Sequence, residues 1–166
     1  MKVSNDSETP AHGQQVFTAS AFIHRDFDSI TKVFLPRRAL TKKFFPGVYE
    51  MPGGHIDFGE EMVKGLAREV KEELGMAITV GDPFFEFTYA NPIKGSHSIE
   101  IVYFAKFVEP INKITIQPED HSEFGWFTLN EIDKIMSETR KPGDDMEAQA
   151  IKKGFALLGG ASLNFG

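Results

Sequence analysis

Three glutamates in the middle of the chain have a spacing that suits metal chemistry. Glu69, Glu72 and Glu73 stand three and four residues apart, so on a helix they share one face. Like charges placed in this way repel one another unless a cation neutralises them. Mg²⁺ and Mn²⁺ take oxygen ligands and keep positions for water and phosphate oxygens. The pattern therefore predicts a divalent-cation site, and an ordinary solvated helix face is the alternative.

Two consecutive glycines lie shortly before these carboxylates. In the run Met51-Pro52-Gly53-Gly54 the glycines permit a tight bend, in which a backbone carbonyl can approach a cation and backbone N–H groups can approach a phosphate. We therefore expect this loop and the glutamate helix to form one site.

Hydrophobic periodicity predicts the elements that position these residues. Apolar residues at spacings of three and four predict a helix over residues 60–74, which Gly75 ends. Capping-box spacings at residues 128–131 and 144–147 predict two later helices. β-Branched and aromatic runs predict strands, with polar turns at 26–29 and 91–95. These strands cover residues 16–23, 30–35, 77–80, 84–89, 99–108 and 125–128.

The order of these elements indicates the fold class and the domain boundaries. Strands, a helix, more strands and terminal helices predict an α/β domain with a mixed sheet between helices. Residues 1–13 contain too little apolar surface to pack and are predicted to form a flexible arm. We expect one domain over residues 14–158, followed by a C-terminal tail at 159–166.

The composition excludes several classes of function. The 166 residues suit one ordinary domain and contain no cysteine, which removes disulfide frameworks, thiolate metal sites and cysteine nucleophiles. A formal net charge of −6 opposes binding to duplex nucleic acid. No apolar run approaches the ~20 residues of a membrane span, and the polar start lacks a secretory signal. We therefore predict a cytoplasmic protein that does not bind membranes.

The residues around the three glutamates resemble the signature of the Nudix (MutT-like) hydrolases. That signature is a glycine, five residues, a glutamate, seven residues, then Arg-Glu, an aliphatic residue, any residue, Glu-Glu, any residue, glycine and an aliphatic residue. The chain fills it without a gap: Gly54, Glu60, Arg68, Glu69, Val70, Glu72, Glu73, Gly75 and Met76. The wider resemblance covers roughly residues 14–158.

The resemblance implies an α/β/α sandwich of the Nudix type and Mg²⁺-dependent hydrolysis of a nucleoside diphosphate joined to another group. Mn²⁺ is the expected substitute for Mg²⁺. Cations suit this chemistry because a diphosphate is a dense anion that must be neutralised before water can attack it. Arg68 is implied to orient the carboxylates together with Glu60, and Gly54 to support the site. The implied metal ligands are Glu69, Glu72, Glu73 and the carbonyl of Gly53.

Two regions of the sequence offer candidates for the general base: the motif itself and an acidic connection later in the chain. Glu69 is the candidate inside the motif, while many family members place a carboxylate facing the metal from the later connection. The candidates there are Glu119, Asp120 and Glu123. His121 is a further candidate, although a lone loop histidine is more often a surface residue. The same expectation covers His24, His55 and His97.

The sequence indicates the substrate-binding residues less specifically than it indicates the metal ligands. A basic cluster upstream of Gly53 and Gly54 would hold a terminal phosphate, with ordinary surface charge as the alternative. This cluster consists of Arg37, Arg38, Lys42 and Lys43. One or two aromatic side chains are placed to stack on a base. The candidates are Phe17, Phe44, Phe45, Tyr49 and Tyr89.

The resemblance ranks the substrate classes. A (d)NTP or modified NTP comes first, with a nucleoside monophosphate and pyrophosphate as the products. The chain is short and has no added dimerisation domain, and in this it resembles the family members that hydrolyse nucleoside triphosphates. An ADP-ribose or other nucleotide-sugar pyrophosphatase comes second, since Pro92 lies sixteen residues past Met76, where many ADP-ribose hydrolases carry proline. A non-catalytic, nucleotide-sensing Nudix domain is the alternative of another class. Because family members are often dimers, a homodimer is the implied assembly.

Overall fold

The first two strands form a tight hairpin. The structure is a computed structural model that describes residues 7–161. Strand β1 (Gln15–Phe27) and strand β2 (Ile30–Arg38) pair antiparallel. Asp28 and Ser29 connect them with φ angles of 49° and 68°, which match the twist that a two-residue hairpin turn requires. The predicted strand pair and its polar turn are confirmed, and both strands are longer than the apolar runs alone indicated.

A short strand and a helix follow the irregular segment that is rich in glycine and proline. Strand β3 (Gly53–His55) pairs with β1, with Gly53 opposite Ser20. Helix α1 (Met62–Leu74) ends at Gly75, whose φ of 67° is the left-handed conformation that favours glycine. The predicted helix and its end are therefore confirmed.

The second half of the chain contains a long hairpin, a strand and two helices. Strands β4 (Ile78–Asn91) and β5 (Ser96–Phe107) pair through the predicted turn, and a 3₁₀ turn (Ile111–Lys113) follows. Strand β6 (His121–Phe127) leads to helix α2 (Leu129–Thr139), which begins with the predicted capping box of Thr128 and Glu131. Helix α3 (Met146–Leu158) is also present, but its N-cap, Asp145, makes no side-chain capping hydrogen bond.

The remaining strand predictions differ from the structure in their bounds. Residues 99–108 were predicted as a strand that is observed as Ser96–Phe107. Residues 77–80 and 84–89 belong to the single strand β4, whose register against β5 shifts on both sides of Pro83. The last strand begins at His121, four residues before the predicted residue 125, because β6 pairs with β2 as far as Arg38. Cross-strand hydrogen bonding therefore extends the strands beyond their apolar runs.

The strands form one mixed sheet with helices on both faces. Its order is β4-β5-β1-β2-β6, with β3 paired to β1, and β1 runs parallel to β5. Alternate side chains of β1 enter two separate cores. Phe22 packs with residues of α2 and α3, whereas Ala21 and Ile23 pack with residues of α1. The structure thus confirms an α/β/α sandwich with a mixed sheet.

Part of the predicted arm lies against the domain. The backbone N–H of Ala11 donates to the carbonyl of Lys94 at 2.7 Å, and the Lys94 ammonium donates to the carbonyl of Thr9 at 3.1 Å. Asn91 Nδ2 donates to the carbonyl of Ser7 at 2.8 Å. Residues 1–6 of the arm and 162–166 of the tail lie outside the described residues. Within 7–161, no helix has the length and apolar character that crossing a bilayer requires.

Candidate active site

A cleft of about 290 Å³ opens between α1, the start of β1 and the connection before β6. Six carboxylates line it: Glu50, Glu69, Glu72, Glu73, Glu100 and Asp120. The lysine and arginine side chains in its lining are Arg38 and Lys42. The cleft is therefore strongly acidic, and an anionic ligand would be repelled from it unless cations entered as well.

Helix α1 and the glycine pair bring the motif glutamates into the cleft at different depths. Glu69 is buried, with 7% exposure, and Glu73 is half-buried. Gly54 lies directly against the Glu69 carboxylate, so a Cβ atom at position 54 would overlap it. The Gly53 N–H donates to Glu73 Oε2 at 3.4 Å. The glycine loop and helix α1 therefore line the same cleft.

Arg68 connects the carboxylates on this side of the cleft. Its Nε and Nη2 donate to the two oxygens of Glu60 at 2.8 and 3.0 Å, a bidentate pairing that fixes the guanidinium plane. Nη1 donates to Glu69 at 2.7 Å and to Glu72 at 3.2 Å, and Nη2 also donates to the His55 carbonyl at 3.0 Å. These bonds hold the Glu69 side chain in one orientation.

Negative charge is concentrated around Glu73. Burial raises the pKa of the Glu73 carboxyl well above its ordinary value, and the charges of Glu50 and Glu69 raise it further. Burial also raises the pKa of Glu69, although Arg68 opposes that rise. A cation bound beside these groups would favour their ionised forms.

The carboxylates fit a cation that keeps much of its water. Among residues 7–161, no three acidic, histidine or cysteine side chains are arranged as a ready-made metal cage. Mg²⁺ is typically held by one or two carboxylates together with waters and substrate phosphates. Glu69, Glu73 and the Gly53 carbonyl suit such a site. Glu72 is more peripheral, because its side chain is 59% exposed and bonds to Arg68.

The three carboxylates of the acidic connection have different surroundings. Asp120 lines the cleft and accepts a hydrogen bond from Lys42 Nζ at 2.7 Å. Glu119 is exposed and is not part of the cleft lining. Glu123 also lies outside the lining, where hydrogen bonds from Arg37 and Tyr49 lower its pKa.

Only part of the predicted substrate-binding set lies at the cleft. Arg38 and Lys42 line it, together with Phe44 and Tyr89. Five predicted residues lie elsewhere: Arg37, Lys43, Phe17, Phe45 and Tyr49. The first and last of these pair with Glu123, since the Arg37 guanidinium and the Tyr49 hydroxyl donate to it at 3.0 and 2.9 Å. They form a surface cluster rather than part of the cleft.

The structure corrects the expectation for two histidines and adds a carboxylate that the sequence did not mark. His121 is 2% exposed and belongs to the cleft wall, so the expectation of a surface histidine is wrong, as it is for His55 at 8%. His121 Nε2 lies 3.5 Å from Glu50 Oε1. Glu100, within the apolar β5, also lines the cleft. An acid between Ile99 and Ile101 is the signal that could have indicated Glu100.

The family model for the NUDIX domain matches residues 16–146, which include the glycine pair, α1 and the acidic connection. The chain belongs to the Nudix family. Nudix hydrolases generally use a divalent metal.

Several Nudix proteins are similar to this chain. The structure of a C. elegans Ap4A hydrolase binary complex has a TM-score of 0.70 at 23% identity, over 88% of this chain and 99% of that one. The NAD-capped RNA hydrolase NudC of Stutzerimonas stutzeri is 29% identical over 57% of this chain. The ADP-ribose pyrophosphatase of Methanocaldococcus jannaschii is 27% identical over 58%. The chain spans 32% and 56% of the lengths of these two Nudix relatives.

Proposed function

We propose that the chain hydrolyses the diphosphate linkage of a nucleoside diphosphate derivative, with Mg²⁺ as the cation. The observation that carries this proposal is the acidic cleft, in which six carboxylates face two cationic side chains. A diphosphate cannot enter so negative a site alone, but it can enter with divalent cations that neutralise both partners. The similar proteins support the chemistry, since NAD, ADP-ribose and Ap4A all contain a nucleoside diphosphate.

The residues of the cleft have separate roles in this proposal. Glu69, Glu73 and the Gly53 carbonyl hold the cation, which when bound neutralises phosphate oxygens and lowers the pKa of a coordinated water. Arg68 keeps Glu69 in position. Asp120 is the candidate general base, because it is the carboxylate of the acidic connection that faces the cleft.

Two substrate classes remain candidates for this site. Nucleoside triphosphates come first, because Arg38 and Lys42 line the cleft and provide cationic contacts for a terminal phosphate. ADP-ribose and other nucleotide sugars come second, because a relative is named an ADP-ribose pyrophosphatase. A panel of both classes, incubated with Mg²⁺ and analysed for phosphate, pyrophosphate and nucleoside monophosphate, distinguishes them. Binding without any release would instead indicate a nucleotide-sensing domain.

The metal assignment is tested by Glu73→Gln. This change keeps the size of the side chain but removes the charge that attracts the cation, so we expect kcat to fall more than about 100-fold, since even partners outside the ligand shell cost 10- to 100-fold. Circular dichroism should show an intact α1. The control is Glu61→Gln, because Glu61 is exposed and pairs only weakly with Lys64. Full activity of Glu73→Gln would contradict the assignment.

A further inference from the structure

Ser7, which belongs to the predicted N-terminal arm, lines the acidic cleft together with Arg38 and Lys42. These residues come from separate parts of the sequence, since Arg38 ends β2 and Lys42 belongs to the loop that follows it. The composition of the chain before Gln14 gave no indication of a contact with the cleft. The arm therefore forms part of the same wall as the two cationic side chains.

Hydrogen bonds from the β4–β5 turn fix the position of Ser7. Its backbone carbonyl accepts from Asn91 Nδ2 at 2.8 Å, and the Thr9 carbonyl accepts from Lys94 Nζ at 3.1 Å. Both donors are buried, with 2% and 0% exposure. The N–H of Ala11, which is also buried, donates to the Lys94 carbonyl at 2.7 Å. Because each of these bonds uses a backbone atom of the arm, they remain possible when the Ser7 side chain is changed.

The Ser7 hydroxyl is one of three groups that hold the Arg38 guanidinium. Arg38 Nη2 donates to Ser7 Oγ at 3.2 Å, and Nη1 donates to Glu50 Oε1 at 3.3 Å. Nε donates to the Phe44 carbonyl at 3.0 Å. A guanidinium has five N–H groups, so these bonds within residues 7–161 leave one N–H on each terminal nitrogen. Two such donors on a planar group suit the oxygens of a phosphate.

Glu50 competes with a phosphate for Arg38. The contact between them uses one terminal nitrogen of the guanidinium, whereas the strongest pairing of arginine with a carboxylate uses two. Ser7 accepts from the other terminal nitrogen, Nη2, and so opposes that two-point pairing. Without the hydroxyl, Nη2 can turn toward Glu50, and the guanidinium then has less attraction left for a ligand.

We propose that Ser7 is a positioning residue for the substrate, and that it holds the Arg38 guanidinium in place to bind the terminal phosphate of a nucleoside triphosphate. Lys42, the other cationic side chain of the lining, makes a shorter contact of 2.7 Å with its carboxylate partner, Asp120. Arg38 is therefore the cation that more readily exchanges a carboxylate for a phosphate. This role rests on the proposed function in taking the substrate to be a nucleotide.

Two analogues that cannot be cleaved between the α and β phosphates test this role without hydrolysis. α,β-Methylene-ATP and α,β-methylene-ADP have the same nucleoside and differ by the terminal phosphate. Each is titrated into the full chain with MgCl₂ by calorimetry. We expect the wild type to bind the ATP analogue about tenfold more tightly than the ADP analogue. Ser7→Ala should bind the ATP analogue about fivefold less tightly than the wild type, and the ADP analogue within about twofold.

Further variants separate positioning from a general structural role. Ser7→Thr keeps the hydroxyl and should bind both analogues as the wild type does. In an Arg38→Lys background, Ser7→Ala should cause no further loss, because residues that act through one another are not additive. The control is Ser137→Ala, an exposed position whose hydroxyl donates to the Lys134 carbonyl of the same helix. If Arg38→Lys does not fold, the comparison of Ser7→Ala with Ser7→Thr decides the question.

Any of three results overturns the role of Ser7. One is a wild type that binds the two analogues equally or not at all, because Arg38 then gains nothing from the terminal phosphate. Another is an unchanged affinity of Ser7→Ala for the ATP analogue. The third is an equal loss of affinity for both analogues, which indicates a structural effect on the cleft. Tight binding of the ATP analogue without hydrolysis in the substrate panel would overturn the proposed function alone.

Discussion

Asp120 and Glu119 are neighbours in the chain but have different surroundings. A substitution of Glu119 is therefore a matched control for a substitution of Asp120. Asp120 lines the cleft and accepts from Lys42, whereas Glu119 is exposed outside the cleft. If Asp120 is the base, Asp120→Asn should lower kcat by about 100-fold, within the range of general-base catalysis, while KM changes little. Glu119→Gln should leave both unchanged. Steady-state kinetics that show equal effects of the two variants would remove Asp120 from this role.

Glu50 contributes to stability in a pH-dependent way. Burial alone would raise its pKa, but Arg38, His121 and Arg140 outweigh it and lower the pKa to about 2. A pKa that is lower in the folded state stabilises the fold above the ordinary value of 4.5, and this stabilisation is lost as pH falls toward 2.

We therefore expect Glu50→Gln to lower the free energy of unfolding by about 2 kcal/mol at pH 7. The deficit should shrink at pH 3 and nearly vanish at pH 2, because wild-type Glu50 is then protonated as well. Urea denaturation at pH 7, 3 and 2 measures the difference in the free energy of unfolding between Glu50→Gln and the wild type. Glu86→Gln, at an exposed position, is the control. An equal deficit at pH 7 and pH 2 would contradict the charge-based explanation.

At the level of residues, local spacing predicted the motif and long-range packing supplied the rest. Arg68 and Glu60 stand only eight residues apart in the chain, so their pairing is a local feature. The partners of Glu50 come from β2, β6 and the end of α2, and no spacing along the chain indicates that these elements meet at one side chain. Glu50 and Glu100 were therefore missed.

The glycine loop shows how an element controls a site. A Cβ atom at Gly54 would overlap the Glu69 side chain, whereas one at Gly53, where φ is 151°, would overlap the backbone of Ala19 and Ser20. Gly54→Ala should therefore reduce turnover at least about tenfold by displacing Glu69, with a loss of stability below about 1 kcal/mol. Gly53→Ala should cost about 2 kcal/mol or more through strain between β3 and β1.

Thermal unfolding and kinetics of the two variants test this difference. Gly81→Ala is the control, because a Cβ atom there meets its neighbours at ordinary contact distances of 3.4 Å or more. If Gly54→Ala kept full turnover, close packing of Gly54 against Glu69 would not be what positions that carboxylate.

At the level of elements, the helices were predictable and the strand ends were not. Helix α1 combines apolar periodicity with a glycine stop, and α2 has its capping box, so both carry local signals. Strand β4 passes through Gly81, Asp82 and Pro83, residues that usually interrupt a strand. The strand continues because shifts in register around Pro83 allow pairing with β5 to resume. The neighbouring strand, and no local signal, therefore determines how far β4 extends.

The charge of the whole molecule should couple its stability to divalent cations. The chain has a net charge of −6, and six carboxylates meet at one cleft. A cation that binds the folded state stabilises it, by about 1.4 kcal/mol when present at ten times its Kd. For a chain of this length that raises Tm by about 3 to 5 °C. The wild type should show this rise with MgCl₂ and not with NaCl of equal ionic strength, and Glu73→Gln should show little.

Residues 7–11 limit how far the chain can be shortened at its N-terminal end. The sequence places the start of the domain at Gln14, yet Ser7 lines the cleft, and Lys94, which is fully buried, donates to Thr9. A protein expressed from Gln14 onward would lack the carbonyl that accepts from this ammonium, leaving a buried charge at the β4–β5 turn without that partner. We therefore expect that the smallest folded fragment with an unaltered cleft must include residues before Gln14.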